Sequence, residues 1–189
     1  MPQSILYTGP MKSGKSRALL DKARDLSKQG KSFLCCKSHI DTRNGDYIWS
    51  RAYEDNFSIP SKKIMYSKQI IDILSASKDK YDAIFIDEIM FLDSGIIGVI
   101  DYLFLEGIDL YASGLDLDFR KKYFPLLDYD NTGLTMEDVM AQFEEVVPLH
   151  SKCEVCGKKA ELTKRVSSTS DSTIEVGDSE YQPRCLRCF

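Results

Sequence analysis

The segment from Gly9 to Ser16 has the sequence Gly-Pro-Met-Lys-Ser-Gly-Lys-Ser, which is the G-x-x-x-x-G-K-S spacing of a phosphate loop. The glycines of such a loop let the backbone curl so that several N–H groups point inward. These groups and the N-terminus of the following helix hold phosphates. We expect Lys15 to reach the outer phosphates and the Ser16 hydroxyl to ligate magnesium. The loop therefore predicts a nucleotide site with contacts from Gly9, Met11, Lys12, Ser13, Gly14, Lys15 and Ser16.

An acidic pair, Asp87 and Glu88, follows the hydrophobic run 81–86. An aspartate that ends such a strand beside a phosphate loop is placed to meet magnesium. If the strand persists, Glu88 faces the opposite way, because side chains alternate along a strand. Glu88 is then free for a different task, such as activating an acceptor hydroxyl or a water molecule as a general base.

Two close pairs of cysteines, Cys153-x-x-Cys156 and Cys185-x-x-Cys188, lie near the C-terminus. Each pair supplies two thiolates from one tight turn, and four thiolates complete a tetrahedron around zinc. A redox role would call for an isolated pair near a strand-to-helix turn. With sulfur at all four positions no open ligand site remains, so the pattern predicts a structural zinc.

Hydrophobic spacing predicts strands that alternate with helices along most of the chain. We expect strands at 4–8, 32–36, 81–86 and 108–112, and helices at 16–30, 68–74, 93–105 and 135–145. Ser67 is the expected N-cap of the second helix, and Thr135-x-x-Asp138 resembles a capping box. Residues 38–60 are predicted to form a long loop with a short hairpin. The pattern predicts an α/β P-loop (RecA-like) fold with a mainly parallel sheet flanked by helices.

The segment from Val146 to Phe189 differs in composition, with four of the six cysteines and a run of serines and threonines. This segment is too small for a large core, so a metal would organise it. We therefore predict a nucleotide-binding α/β domain at 1–146 and a small zinc-ribbon lobe at 147–189, which carries a mobile loop.

Overall composition narrows the class of protein further. The chain has 189 residues, a net charge of -4 and 43% hydrophobic residues, which suits an ordinary globular protein. A protein that binds duplex DNA would normally carry a basic stripe, so no nucleic-acid partner is expected. The chain reaches the phosphate loop within a few residues of Met1, and no apolar run approaches a membrane span. We expect no signal peptide, no membrane association and a cytoplasmic location.

Over nearly its whole length the chain resembles the thymidine kinase family that includes cytosolic vertebrate, poxviral, bacterial and phage enzymes. The combination of motifs is far more specific than any single motif. In chain order the matching pieces are Gly9 to Ser16, Asp41-Thr42-Arg43, Ile86-Asp87-Glu88, Gly114-Leu115-Asp116-x-Asp118-Phe119-Arg120 with Phe124, Cys153-x-x-Cys156-Gly157 with Ala160, Thr163 and Arg165, and Val176-Gly177-x-x-x-Tyr181-x-Pro183-x-Cys185-x-x-Cys188.

The resemblance implies transfer of a phosphate from ATP to the 5′-hydroxyl of thymidine, and of deoxyuridine, with magnesium bound by Ser16 and Asp87. It implies that Glu88 is the catalytic base, that Asp41 and Arg43 lie near phosphate, and that a lasso loop before Tyr181 closes over the nucleoside. It also implies a homotetramer that is inhibited by thymidine triphosphate (dTTP). The residues it places around the nucleoside are Met11, Leu115, Phe119, Phe124, Thr163, Val176, Gly177 and Tyr181.

The chain departs from the family pattern at several positions. Lys12 stands where an aromatic residue is usual, Ile89-Met90 replaces a common Ala-Gln, and Asp178 replaces a frequent glycine. These changes leave the phosphate chemistry in place and bear on substrate range and affinity. Two other classes stay open, a zinc-ribbon P-loop ATPase that acts on DNA and a nucleotide-binding regulatory protein without catalysis.

Overall fold

A computed structural model describes residues 1–43, 45–50, 57–127, 129, 131–167 and 180–189. In chain order its strands and helices are β1 (Ser4–Thr8), α1 (Lys15–Lys28), β2 (Phe33–Ser38), β3 (Tyr47–Trp49), β4 (Ser58–Pro60), β5 (Lys62–Ile64), α2 (Gln69–Ala76), β6 (Ala83–Asp87), a 3₁₀ turn (Ile89–Phe91), α3 (Ile96–Leu105), β7 (Asp109–Ser113), α4 (Met136–Met140), β8 (Glu145–Pro148), β9 (Ser151–Lys152), β10 (Lys159–Ala160), β11 (Leu162–Arg165) and β12 (Tyr181–Arg184).

The core of the molecule is a six-stranded sheet with the order β5-β2-β6-β7-β1-β8. Every neighbouring pair of strands in it is parallel. Helices follow most of these strands, which confirms the predicted mainly parallel α/β fold. Because the strands are parallel, β1, β2, β6 and β7 all end at the same edge, where ligands of open α/β sheets bind. The phosphate loop and the acidic pair therefore meet at one place.

Both faces of the sheet are covered, which explains why its strands are nearly continuous hydrophobic runs. On one face, Cys35, Phe85 and Tyr111 pack against the buried stripe of α1. The Phe85 ring stacks on Tyr111 with centroids 5.0 Å apart. On the other face, the alternate residues of the same strands pack against α3. The two clusters hold the strand ends in a fixed geometry.

Several boundaries differ from the sequence prediction. The capping box at Thr135 and Asp138 is present, but α4 ends at Met140 instead of near Glu145. Glu145 begins β8, a strand that the sequence analysis missed and that pairs with β1. The prediction of Ser67 as an N-cap is wrong, since its hydroxyl and N–H both donate to the Asp93 carboxylate and α2 begins at Gln69.

The expected hairpin between 38 and 60 is present, since β3 and β4 pair antiparallel. Near the C-terminus, β9 pairs with β10 and β11 with β12, and both pairs are antiparallel. The division at 146/147 remains a prediction, and β8 crosses that position. Within the described ranges, none of the helices combines the length and the hydrophobicity that crossing a bilayer needs.

Candidate active site

The phosphate loop links β1 to α1, as the motif requires. Gly9 has φ 131°, and a Cβ atom there would lie 2.2 Å from the Leu149 carbonyl oxygen. Gly14, with φ 87°, caps the start of α1 in the left-handed region. The first turn of α1 contains no acidic residue, so nothing there opposes an anion at the helix N-terminus. The loop is therefore shaped for phosphate, and only glycine fits at Gly9.

Lys15 is buried at the base of the loop, with 7% of its surface exposed. Its ammonium donates to the carbonyl oxygens of Gly9 and Pro10, at 3.0 and 2.8 Å. Burial lowers the pKa of Lys15, while Glu88, Asp87 and Asp116 counteract this. The Ser13 hydroxyl is buried in the same loop and has no hydrogen-bond partner among the described residues. A phosphate group would supply the acceptor oxygens that both side chains fit.

Asp87 ends β6 and faces the phosphate loop. Its Oδ1 accepts hydrogen bonds from the hydroxyls of Ser16, at 3.2 Å, and Ser113, and from the N–H of Glu88. Burial raises the pKa of Asp87 to about 6, and the neighbouring Glu88 charge adds to this. A buried carboxylate beside a serine hydroxyl offers two oxygen ligands, and magnesium prefers oxygen ligands. The residues present therefore fit the predicted magnesium site.

Glu88 does not continue the strand, which corrects the simple alternation expected from the sequence. It adopts a left-handed conformation, with φ 52° and ψ 50°, between β6 and the 3₁₀ turn. Its Oε1 accepts a hydrogen bond from Arg43 Nη2 at 2.7 Å. Its Oε2 is buried with no hydrogen-bond partner among the described residues. One carboxylate oxygen is thus held in place and the other is free to accept a proton.

Asp41 and Arg43 follow β2 and lie at the same edge of the sheet. Arg43 Nε donates to Asp41 Oδ1 at 2.9 Å, so the guanidinium bridges Asp41 and Glu88. Burial would lower the pKa of Arg43, but the two carboxylates outweigh this and raise it. Only the family resemblance placed this pair near phosphate, and the structure brings it into contact with the proposed base.

A cleft of about 440 Å³ collects these groups. Four of its lining residues, Lys37, Tyr47, Trp49 and Ser50, were not among the predicted site residues. The aromatic pair lies on β3, where alternation directs Ile48 into the core and Tyr47 and Trp49 to the opposite side. The described lining residues are Met11, Lys12, Ser13, Gly14, Lys15, Ser16, Lys37, Asp41, Arg43, Tyr47, Trp49, Ser50, Asp87 and Glu88.

Of the predicted nucleoside contacts, Met11 lines this cleft. The Met11 N–H donates to Thr163 Oγ1 at 2.9 Å, and Thr163 is buried. Met11, Leu115, Phe124 and Tyr181 belong to one hydrophobic cluster, and Phe119 packs against it. The structure therefore brings most of the set together. Val176 and Gly177 lie outside the described residues.

Arg165 connects two of the aromatic candidates. Its guanidinium lies 3.9 Å from the centre of the Phe119 ring, a cation–π distance. It also donates to the Tyr181 hydroxyl, with Nη2 at 2.7 Å. Arg165 therefore links Phe119 to Tyr181.

The sulfur atoms of Cys153, Cys156, Cys185 and Cys188 all lie within 4.8 Å of one another. Burial would raise the pKa of the Cys153 thiol, but hydrogen bonds from neighbouring backbone N–H groups together outweigh it and lower the pKa to about 6. Four sulfurs at this spacing fit tetrahedral coordination of a metal ion such as zinc. Cys35 and Cys36 are separate from the cluster and buried in β2, and burial raises the pKa of both thiols. They are inert residues of the core.

Among the described residues, three hydrogen bonds join the phosphate loop to the cysteine-containing region. Besides the Met11–Thr163 bond, the Lys12 ammonium lies 2.6 Å from Glu154 Oε1, and Glu154 lies within the first cysteine pair. The Ser151 hydroxyl donates to the Lys12 carbonyl oxygen at 3.1 Å. Lys12 itself has φ 60°, so its backbone is held in a turn. Lys12, which departs from the family pattern, therefore forms an ion pair with Glu154.

Comparison with known proteins agrees with this geometry. The family model for thymidine kinase matches residues 3–189. Proteins named thymidine kinase from Mesomycoplasma hyopneumoniae (strain 7448) and Onion yellows phytoplasma (strain OY-M) are each 32% identical to the chain. The alignments cover 97% and 95% of this chain and 92% and 82% of those proteins. A thymidine kinase from Mycoplasma mobile is 33% identical, covering 97% of this chain and 84% of that protein. On this evidence the chain belongs to the thymidine kinase family.

Proposed function

We propose that this protein transfers the γ-phosphate of ATP to the 5′-hydroxyl of thymidine, and also of deoxyuridine, for deoxynucleotide salvage. The observation that carries the proposal is the free oxygen of Glu88. This oxygen, Oε2, is buried next to the phosphate loop and has no hydrogen-bond partner among the residues that the structure describes, which suits a general base that takes the proton of an acceptor hydroxyl. The bond from Arg43 fixes the other oxygen and so aims the base.

The phosphate donor would lie in the loop between β1 and α1. The N–H groups of the loop and Lys15 would bind its phosphates, with Arg43 close to the transferred group. A magnesium ion, when bound, would neutralise charge on the phosphate oxygens. Ser16 and Asp87 are the residues that would hold it. Since the transition state is stabilised mainly by positioning and charge, this set is sufficient for phosphoryl transfer.

The nucleoside would bind against the apolar cluster that includes Leu115 and Phe124, with Thr163 and Tyr181 at its edge. Flat aromatic and aliphatic walls suit a pyrimidine better than a protein substrate. We propose that the residues before Tyr181, including Val176 and Gly177, close over the base as a lasso. Closure would exclude water from the phosphate and so favour transfer over hydrolysis.

The four-cysteine cluster would hold one structural zinc per chain, because no ligand position remains open for chemistry. A homotetramer, inhibition by dTTP and a cytoplasmic location complete the proposal and rest on the family membership. Light scattering that gives a monomer at micromolar concentration would contradict the assembly.

The direct test is an incubation of the protein with γ-labelled ATP, magnesium and each deoxynucleoside in turn. We expect label in thymidine monophosphate, and none when magnesium is chelated. Labelled inorganic phosphate without any monophosphate, in amounts that DNA increases, would instead support an ATPase that acts on DNA.

Competition between nucleosides tests the pocket separately. Cytosine presents the reverse donor and acceptor pattern to thymine, and each buried polar group left unpaired costs about 1–3 kcal/mol. The thymine methyl contributes no more than about 1–3 kcal/mol to the discrimination between thymidine and deoxyuridine in a hydrophobic pocket. We expect thymidine to be preferred modestly over deoxyuridine and strongly over deoxycytidine. Equal kcat/KM for deoxycytidine and thymidine would refute this description of the pocket, even if the protein is a kinase.

A further inference from the structure

Lys37 is a buried lysine that no motif singled out. It is the fifth residue of β2, where the register places it opposite Asp87 of β6. Its side chain is 1% exposed, yet it lines the cleft. An ammonium group this deeply buried is stable only when oxygen atoms surround it. The oxygen atoms that surround the Lys37 ammonium therefore indicate its role.

The ammonium of Lys37 contacts the loop that follows β2. Its Nζ donates to the Arg43 carbonyl oxygen at 2.6 Å and lies 3.7 Å from Asp41 Oδ2. Asp41 Oδ1 in turn accepts the Arg43 N–H at 3.1 Å. Both main-chain polar groups of Arg43 are thus held, one by Lys37 and the other by Asp41. The backbone position from which the Arg43 side chain extends is therefore fixed.

The consequence reaches Glu88 through a row of alternating charges. Lys37 holds Asp41 and Arg43, and the Arg43 guanidinium holds Glu88 Oε1 at 2.7 Å. Among the residues that the structure describes, Lys37 and Glu88 share no direct hydrogen bond or ion pair, so we expect the influence of Lys37 on that carboxylate to pass through Arg43.

We propose that Lys37 is a positioning residue for phosphoryl transfer, which fixes Arg43 and through it the orientation of Glu88. The inference rests on the proposed function, because it assigns a role within the same reaction. A shift of about 1 Å in a catalytic group costs about 10²-fold in rate. We therefore expect Lys37→Met to lower kcat about 10- to 100-fold while KM for the nucleoside changes less than about threefold.

A double-mutant cycle on kcat tests whether Lys37 acts through Arg43. The variants are Lys37→Met, Arg43→Met and the double variant, with Lys37→Gln as a second substitution that carries the same expectation. Lys63→Met is the matched control, since Lys63 pairs with Lys37 in the neighbouring strand but is 35% exposed and bound to Asp46.

If the inference is right, replacing Lys37 in the Arg43→Met background changes kcat less than about twofold, and Lys63→Met leaves kcat near that of the wild type. Fully additive losses would overturn it, because they would mean that Lys37 acts independently of Arg43. So would a raised KM for ATP with kcat unchanged, which would indicate that Lys37 binds the phosphate donor directly.

A readout that needs no activity separates this inference from the proposed function. In ¹H–¹⁵N spectra, the Arg43 Nε–H signal should be sharp in the wild type and in Lys63→Met, and broadened or lost in both Lys37 variants. A wild-type protein that forms no monophosphate would refute the proposed function while this signal still reports on Arg43. An unchanged Arg43 signal in the Lys37 variants would refute the positioning role.

Discussion

Replacing Glu88 by glutamine is the most informative single change in the proposed reaction. The variant has nearly the same shape, and its carbonyl oxygen can still accept from Arg43. It loses the ability to take a proton, and a general base contributes about 10²–10⁴-fold in rate. At 1.36 kcal/mol per tenfold change, the barrier should rise by about 3–5.5 kcal/mol.

The stability of the Glu88→Gln variant should change much less than its rate. A hydrogen bond to a charged group contributes about 1.5–3 kcal/mol and a neutral one about 0.5–1.5, so weakening the Arg43 bond costs about 1 kcal/mol. Removing the charge also relieves its repulsion of Asp87, whose pKa it raises. We expect the two effects to offset, leaving the free energy of unfolding within about 1 kcal/mol of the wild type.

The assay combines single-turnover formation of labelled thymidine monophosphate with nucleotide titration. Fluorescence of Trp49 can follow binding, because it is the only tryptophan of the chain and lines the cleft. Glu106→Gln, a neutral substitution at an exposed helix end, is the matched control. If Glu88→Gln transfers phosphate at the wild-type rate, Glu88 is not the base. If it fails to bind ATP, Glu88 has a binding role that the structure does not suggest.

Three further predictions concern other parts of the site. Gly9→Ala should lower the free energy of unfolding by more than about 2 kcal/mol, because its Cβ would meet a carbonyl oxygen at 2.2 Å, whereas Gly98→Ala, on an open face of α3, should not lower it. The pKa of Asp87 is higher in the folded chain than in the unfolded chain, so without magnesium the free energy of unfolding of the wild type should fall as pH rises from about 4 to about 6. In the presence of a chelator, Asp87→Asn should weaken this pH dependence and raise the free energy of unfolding at pH 7 by about 1–3 kcal/mol. Metal analysis should give one zinc per chain and less than one in Cys185→Ser, and a fully active, zinc-free wild type would refute the structural metal.

The sequence predicted the parts of this protein that depend on local patterns. The phosphate loop, the acidic pair and the cysteine pairs each combine residue types with a fixed short spacing, so their chemistry is evident before folding. The alternating strands and helices follow from hydrophobic periodicity, which is strongest in buried strands such as β6. The common edge where they meet follows from the parallel sheet.

What the sequence did not predict depends on contacts between distant segments. The strand β8 has only four residues and exists because it pairs with β1, about 140 positions away. Glu88 turns out of the strand where the 3₁₀ segment begins, and periodicity carries no sign of that turn. Lys37 had one available signal, a charged residue in the apolar run that begins at Phe33. Its significance appears only with Asp41 and Arg43 around it.

The bonds between the phosphate loop and the cysteine-containing region have a thermodynamic consequence. Lys12 in the phosphate loop forms an ion pair with Glu154, which lies 142 positions later within the first cysteine pair. Metal bound at the cysteines and nucleotide bound at the loop then order the same contacts. Each ligand should raise the affinity of the other, and by reciprocity the two factors are equal. A chelator should therefore weaken nucleotide binding, bound nucleotide should slow the loss of metal to the chelator, and supply of metal would govern how readily the site is filled.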